Sequence, residues 1–158
     1  MVGAVLQPVV FAGMAGLTAV ITLQIISRVF FTSVSWSEEV ARFLLIWVTF
    51  LGAALAFQQG RHIAVTLLRD NLSPTLRKIV AGISILVTIA FLVTLAVIGW
   101  RYMNLQSFQK SPSLRISMTY IYAVMPLAAA IMAGLATIDL IRLLMGQDVR
   151  EPKSEVTE

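Results

Sequence analysis

The sequence predicts an all-α membrane protein with four transmembrane helices. Two observations carry this. Of its 158 residues, 58% are hydrophobic and only 13% are charged, against about 25% charged in an ordinary soluble domain. Four stretches, residues 2–27, 43–60, 79–100 and 116–138, contain no Asp, Glu, Lys, Arg or His. At 1.5 Å rise per residue, such runs of about 18–26 residues cross a hydrocarbon core of ~30 Å. The expected spans are 3–27, 38–59, 75–101 and 117–144. They form one membrane bundle over residues 1–146, followed by a disordered cytoplasmic tail over 147–158, where the composition turns polar and charged.

The first span is read as a retained helix. Its apolar run exceeds the ~7–15 residues of a signal-peptide core, and no Lys or Arg precedes it. The second opens with Ser35-Trp36-Ser37-Glu38-Glu39-Val40-Ala41-Arg42. Ser35 followed by Glu38 has capping-box spacing, and acids suit the positive first turn of a helix. Before the third span, Ser73-Pro74 reads as N-cap and first helical residue. Beyond the fourth, Gly146 reads as a C-cap. The loop over 61–78 sets Ile63, Val65, Leu67, Leu68 and Leu72 among charges, suggesting a short interfacial amphipathic helix.

Four spans place both termini and the 61–78 loop on one side. That side holds seven of the twelve Lys and Arg residues, the other five, which puts both termini in the cytoplasm. Trp36, Trp100, Tyr102, Tyr120 and Tyr122 then gather at the opposite interface, where amphipathic rings are favoured.

On a helical wheel of the second span, Glu38, Arg42, Thr49, Gly52, Ala53, Ala56 and Gly60 share one face. Phe43, Trp47, Phe50, Ala54 and Phe57 lie roughly opposite. Small residues let membrane helices approach, and Gly52 with Ala56, Ala12 with Gly16, and Ala130 with Gly134 repeat a small-xxx-small spacing. The small face is therefore expected inside the bundle, with the bulky face left to lipid or a partner.

The charged cluster admits two readings. Glu38–Arg42 (i, i+4) and Glu39–Arg42 (i, i+3) can be local pairs at a capped helix start. Alternatively, the pairing of Arg42 fixes an interface with another element or subunit. Asp139 and Arg142 read as end-of-helix neutralisation.

Several function classes are excluded. With no cysteine, thiol redox chemistry and Cys-based metal sites are absent. One histidine, His62, cannot supply paired haem ligands, and beside Arg61 it reads as a loop residue, not a catalytic base. The scattered basic residues fit membrane orientation, not nucleic-acid binding. No catalytic site, substrate site, metal or cofactor is expected, and the chain is not read as an enzyme. A carrier usually keeps an ionisable residue or a broken helix at its midplane; hydroxyls and glutamines, Gln24 among them, are the polar groups here. An accessory membrane protein is expected, with a self-assembling four-helix channel or exporter as the alternative.

Three blocks carry a family resemblance. The first is Trp36-Ser37-Glu38-Glu39-Val40-Ala41-Arg42, continuing through Trp47 to Gly52. The second is Gly60-Arg61-His62-Ile63-Ala64-Val65. The third is Ser111-Pro112-Ser113-Leu114-Arg115-Ile116, followed by Tyr122 and Pro126. In this order the chain resembles the small membrane subunit (DctQ-like, Q subunit) of tripartite ATP-independent periplasmic (TRAP) transporters. Ser117 stands where the family often has proline, and Leu127-Ala128 lacks a glycine often found there. The resemblance implies a scaffold in the bacterial inner membrane. Its partners would be a large membrane subunit (M subunit), which carries the substrate and sodium sites and moves in an elevator-like cycle, and a periplasmic substrate-binding protein (P subunit) delivering organic acids such as dicarboxylates or sialic acid. Trp36, Glu38, Glu39, Arg42, Trp47, Gly52, His62, Tyr122 and Pro126 become the candidate interface or structural residues.

Overall fold

The computed structural model describes residues 2–30, 35–60 and 74–145. Its helices are α1 (Val2–Phe30), α2 (Ser35–Gly60), α3 (Pro74–Leu105), α4 (Met118–Tyr122) and α5 (Val124–Leu144), with a 3-10 turn at Gln106–Phe108 after α3. Four helical segments are long and apolar enough to cross a membrane, the fourth being α4 and α5 together. Three boundaries differ from expectation. Helix α2 begins at Ser35, so Ser35 is its first helical residue and not its cap. Helices α1 and α3 run about one turn further, to Phe30 and Leu105. At 1.5 Å per residue, α3 is about 48 Å long and must tilt or project beyond the hydrocarbon.

Pro74 does open α3, because a first-turn proline gives up no intrahelical bond. Ser73, His62, the proposed amphipathic segment in the 61–78 loop, the Gly146 cap and the 147–158 tail lie outside the described residues.

The fourth span is divided at Ala123, whose φ of −58° and ψ of −26° keep the chain turning in the right-handed sense. Pro126 explains the division. It has no N–H for the Tyr122 carbonyl, and its ring crowds that carbonyl. The next bond, from Leu127 N–H to Ala123 O, is stretched to 3.3 Å.

Within the membrane bundle the packing is an open row. Helix α1 lies against α2, α2 against α5, and α5 against α3; among the described residues α1 and α3 share no substantial contact. Helix α5 is the hub. In the most apolar window of its span 39% of residues are buried, against 6% for each of the others. One core runs along the row through Leu6 and Val10 of α1, Leu51 and Ala54 of α2, Val124, Ala128, Met132 and Ala136 of α5, and Leu92 of α3.

The faces of α2 are reversed from expectation. Phe50, Phe57 and Ile46 pack against the core, and Ala54 is only 1% exposed. Thr49, Ala53 and Ala56 are exposed instead, and a Cβ placed on Gly52 would meet nothing within 4 Å. Gly134 is equally open and Ala130 is exposed. The close approaches fall elsewhere. A Cβ on Gly13 would sit 2.8 Å from Val48 Cγ2, and one on Gly99 would sit 3.2 Å from the Pro126 nitrogen. Gly13 thus sets the α1–α2 spacing, and Gly99 lets α3 reach the α5 kink.

Hydroxyls within the spans turn back onto their own helices. Thr18, Thr22, Thr49, Thr88, Thr94 and Thr137 each donate to the carbonyl four residues earlier, at 2.7–2.9 Å. Satisfied internally, they can face hydrocarbon.

Candidate functional site

The charged start of α2 meets the connection between α3 and α4, and this junction is the most elaborated polar structure among the described residues. The connection folds back on itself. Lys110 and Ser117 form an antiparallel bridge. Ser111 N–H donates to Ile116 O at 2.9 Å, Arg115 N–H to Ser111 O at 3.0 Å, and Met118 N–H to Gln109 O at 3.0 Å. Closing so tight a loop places Arg115 at φ 53°, the left-handed region that a side chain other than glycine adopts at a cost. Ser117 then caps α4, its Oγ accepting from Thr119 N–H. A proline at 117 would supply no such oxygen, so this departure from the family pattern has a local role.

Glu39 completes the loop. Its Oε1 accepts from Ser113 N–H at 2.8 Å, and its Oε2 accepts from Leu114 N–H at 3.0 Å and from the Ser111 hydroxyl. The 112–114 turn resembles the start of a helix, where N–H groups lack intrahelical acceptors, and within its own segment Leu114 N–H also reaches Ser111 Oγ at 3.3 Å. A carboxylate normally satisfies such groups from a neighbouring position. Here it comes from another helix. Ser35 Oγ, 3.1 Å from Ser113 Oγ, adds a second tie, and Ser111 is only 2% exposed.

The expected Glu39–Arg42 ion pair is therefore not formed. Arg42 pairs with Glu38 at 3.3 Å, and both side chains remain about two-thirds exposed, at 65% and 66%. In the fold of this chain Glu39, not Arg42, joins one element to another. The sequence holds a partial signal for its partners, since Ser111-Pro112 has the N-cap and first-residue pattern of a helical turn.

Between this end of α2 and the loop lies a groove of about 400 Å³. Glu38, Arg42, Ser35 and Ser113 line its polar part, and Phe43, Ile46, Met118 and Ile121 its apolar part. Tyr122, another lining residue, stacks edge-on against Tyr102 with ring centroids 5.0 Å apart. This contact ties α4 to α3 at the level expected for the aromatic belt. Trp36 and Trp47 are 44% and 36% exposed, Gly52 lies open on α2, and Pro126 is buried against α3. Of the candidates, Trp36, Glu38, Glu39, Arg42 and Tyr122 cluster at one end of the row; Trp47, Gly52 and Pro126 lie along the spans. Among the described residues, no three His, Cys, Asp or Glu side chains come together to hold a metal.

These features define a small multi-pass membrane subunit whose polar structure is gathered at one end. The profile of the tripartite ATP-independent periplasmic transporters, DctQ component, matches residues 17–146, and the chain belongs to this family. It is 30% identical over 115 residues to a TRAP transporter small permease protein of Haemophilus influenzae, covering 70% of this chain and 71% of that protein. It is also 30% identical over 138 residues to the sialic acid TRAP transporter small permease protein SiaQ of Vibrio cholerae, covering 84% and 79%. The isethionate TRAP transporter permease protein DctMQ of Oleidesulfovibrio alaskensis is 28% identical over 153 residues. That match covers 89% of this chain but only 23% of the longer protein.

Proposed function

We propose that this chain is the accessory scaffold subunit of an importer driven by an ion gradient, with sodium as the coupling ion. Its substrates are organic acids such as dicarboxylates or sialic acid. It works with a large membrane subunit and a periplasmic substrate-binding protein, in the bacterial inner membrane with both termini cytoplasmic. In this reading the Glu39-seated loop faces the periplasm, on the side from which the binding protein arrives.

The observation that carries the reading is the way the relatives are built. A stretch of this length and sequence is a separate small permease in Vibrio cholerae, yet forms 23% of the DctMQ permease. A unit found both detached and covalently continuous with a larger permease works beside it. The open face of α2 supports the same reading, because Thr49, Gly52, Ala53 and Ala56 give a transmembrane helix of the large subunit a surface for close approach. Sialic acid and isethionate, named in the relatives, are both small organic anions, which favours that substrate class.

The test is reconstitution. The chain should co-purify in detergent with a large membrane protein from the same source. Proteoliposomes holding both should accumulate an organic acid only with the binding protein outside and an inward sodium gradient. Solute uptake by the small chain alone would sink the proposal, and a homo-oligomer by native mass spectrometry would favour a self-assembling channel.

A further inference from the structure

We propose that the groove between α2 and the 111–114 turn binds the headgroup of a zwitterionic phospholipid with a primary ammonium, the phosphoethanolamine class. The inference rests on the fold and its membrane placement, and does not depend on which solute the transporter carries.

Position is the first argument. The groove sits at the end of α2 where the apolar run begins, with Phe43 and Ile46 leading from it along the helix. Trp36 and Tyr120, 44% and 71% exposed, flank this end of the row, and such rings favour headgroup depth. A cleft at this level, polar at one end and apolar at the other, matches a lipid's own polarity. About 400 Å³ also falls within the ~300–1,000 Å³ of small-molecule sites.

Charge complementarity selects the headgroup. Three acidic or basic side chains line the groove: Glu38, Glu39 and Arg42. Glu39 is committed to the loop, its two oxygens accepting from Ser111, Ser113 and Leu114. One exposed anion and one exposed cation remain, Glu38 and Arg42, one helical turn apart. A phosphodiester meets the guanidinium fork of Arg42, with the Ser35 and Ser113 hydroxyls as further donors. The ammonium, two carbons away in the same headgroup, donates to Glu38. Phosphatidylglycerol would offer Glu38 only the neutral hydroxyls of its glycerol, leaving the carboxylate's charge without a counter-charge. A choline headgroup has no N–H to give it. The acyl chains then follow Phe43, Ile46, Met118 and Ile121.

The experiment exchanges the purified chain, and separately its complex with the large subunit, into micelles holding equal phosphatidylethanolamine, phosphatidylcholine and phosphatidylglycerol. Native mass spectrometry reads the retained lipid. The wild type should keep phosphatidylethanolamine over either alternative by about fivefold or more. Arg42→Ala and Glu38→Ala should each abolish the preference; both side chains are exposed, so helicity by circular dichroism should be unchanged. Ile46→Trp, which fills the apolar end and spares the ion pair, should also lose the lipid, while Lys110→Ala keeps it. Equal retention of all three lipids by the wild type overturns the proposal, as does a preference that survives Arg42→Ala. Displacement by free phosphoethanolamine at the concentration of the whole lipid would make this a soluble-ligand site and overturn it too. So would loss of the lipid on adding the large subunit, because the groove would then be a protein contact.

Discussion

The Glu39 carboxylate and the Leu114 N–H lie 75 positions apart in the sequence and 3.0 Å apart in the fold. This bond, with its companions to Ser111 and Ser113, makes one side chain of α2 the cap of a turn that follows α3. The turn has no carboxylate of its own, so its exposed donors depend on a residue inserted earlier in the chain.

Replacing Glu39 should therefore open the loop. In Glu39→Ala, hydrogen exchange at the Ser113 amide should accelerate on the order of tenfold as its carboxylate acceptor is lost, and at the Leu114 amide by less, since that group keeps its 3.3 Å contact with Ser111 Oγ. Glu39→Gln should fall between, because an amide offers one accepting oxygen in place of two. Arg42→Ala should leave these amides unchanged and cost only about 0.3–0.5 kcal/mol, the scale of an exposed i, i+4 pair. From the sequence alone, Arg42 stood as a local partner for both acids. Equal acceleration in the Arg42 and Glu39 variants would show that the loop depends on the whole cluster.

Two glycines should separate folding from assembly. Gly13→Ala places a methyl group 2.8 Å from Val48 and should destabilise the isolated chain by about 1–3 kcal/mol, seen as a lower midpoint of thermal unfolding in detergent. Gly52→Leu meets open space, and the isolated chain should unfold near the wild-type temperature. Its co-purification with the large subunit should fall sharply if the α2 face is the contact. Normal yield of that complex would assign the face to lipid.

The left-handed residue offers a backbone test. Arg115→Gly should be accommodated at φ 53° without strain, whereas Arg115→Val should cost about 1–2 kcal/mol, since its branched carbon crowds the following carbonyl. Loop proteolysis and thermal unfolding both report the difference. An Arg115→Val variant as stable as Arg115→Gly would mean that the loop has adopted another closure.

Orientation can be read chemically because the chain has no cysteine. Phe108, 95% exposed at the end of the 3-10 turn, can be replaced by cysteine without touching the core. In intact cells Phe108→Cys should react with a membrane-impermeant maleimide reagent added outside. Labelling only after the cytoplasmic membrane is opened would invert the proposed topology.

The four spans were legible because hydropathy and length suffice to define a membrane crossing. Pro74 was legible as a helix start for an equally local reason. The inward face of α2 was not. In water an apolar face must be buried, but hydrocarbon accepts Phe50 and Ala53 alike, so the pattern does not say which side turns inward. The three Glu39 contacts were hidden for a different reason. Arg42, three residues away, offered a local partner of opposite charge, whereas the real donors are two backbone groups, which leave no mark in side-chain chemistry, and the Ser111 hydroxyl, an uncharged group 72 positions distant. The break at Ala123 follows from Pro126, but the sequence signal was offset, since a proline disturbs the carbonyl four residues before it.

The central place of α5 has a consequence for how the protein is made. Helix α5 is the last of the five to leave the ribosome, yet it is the element through which α2 and α3 are connected. Until it enters the membrane, the α1–α2 hairpin and α3 are joined mainly at one end, where Glu39 and Ser35 hold the 111–114 turn. Packing along the row thus waits for α5, which closes the structure from the middle. A chain truncated before Val124 would keep only that polar tie and leave the inward faces of α2 and α3 without their shared partner, visible to the proteases that clear unassembled membrane proteins.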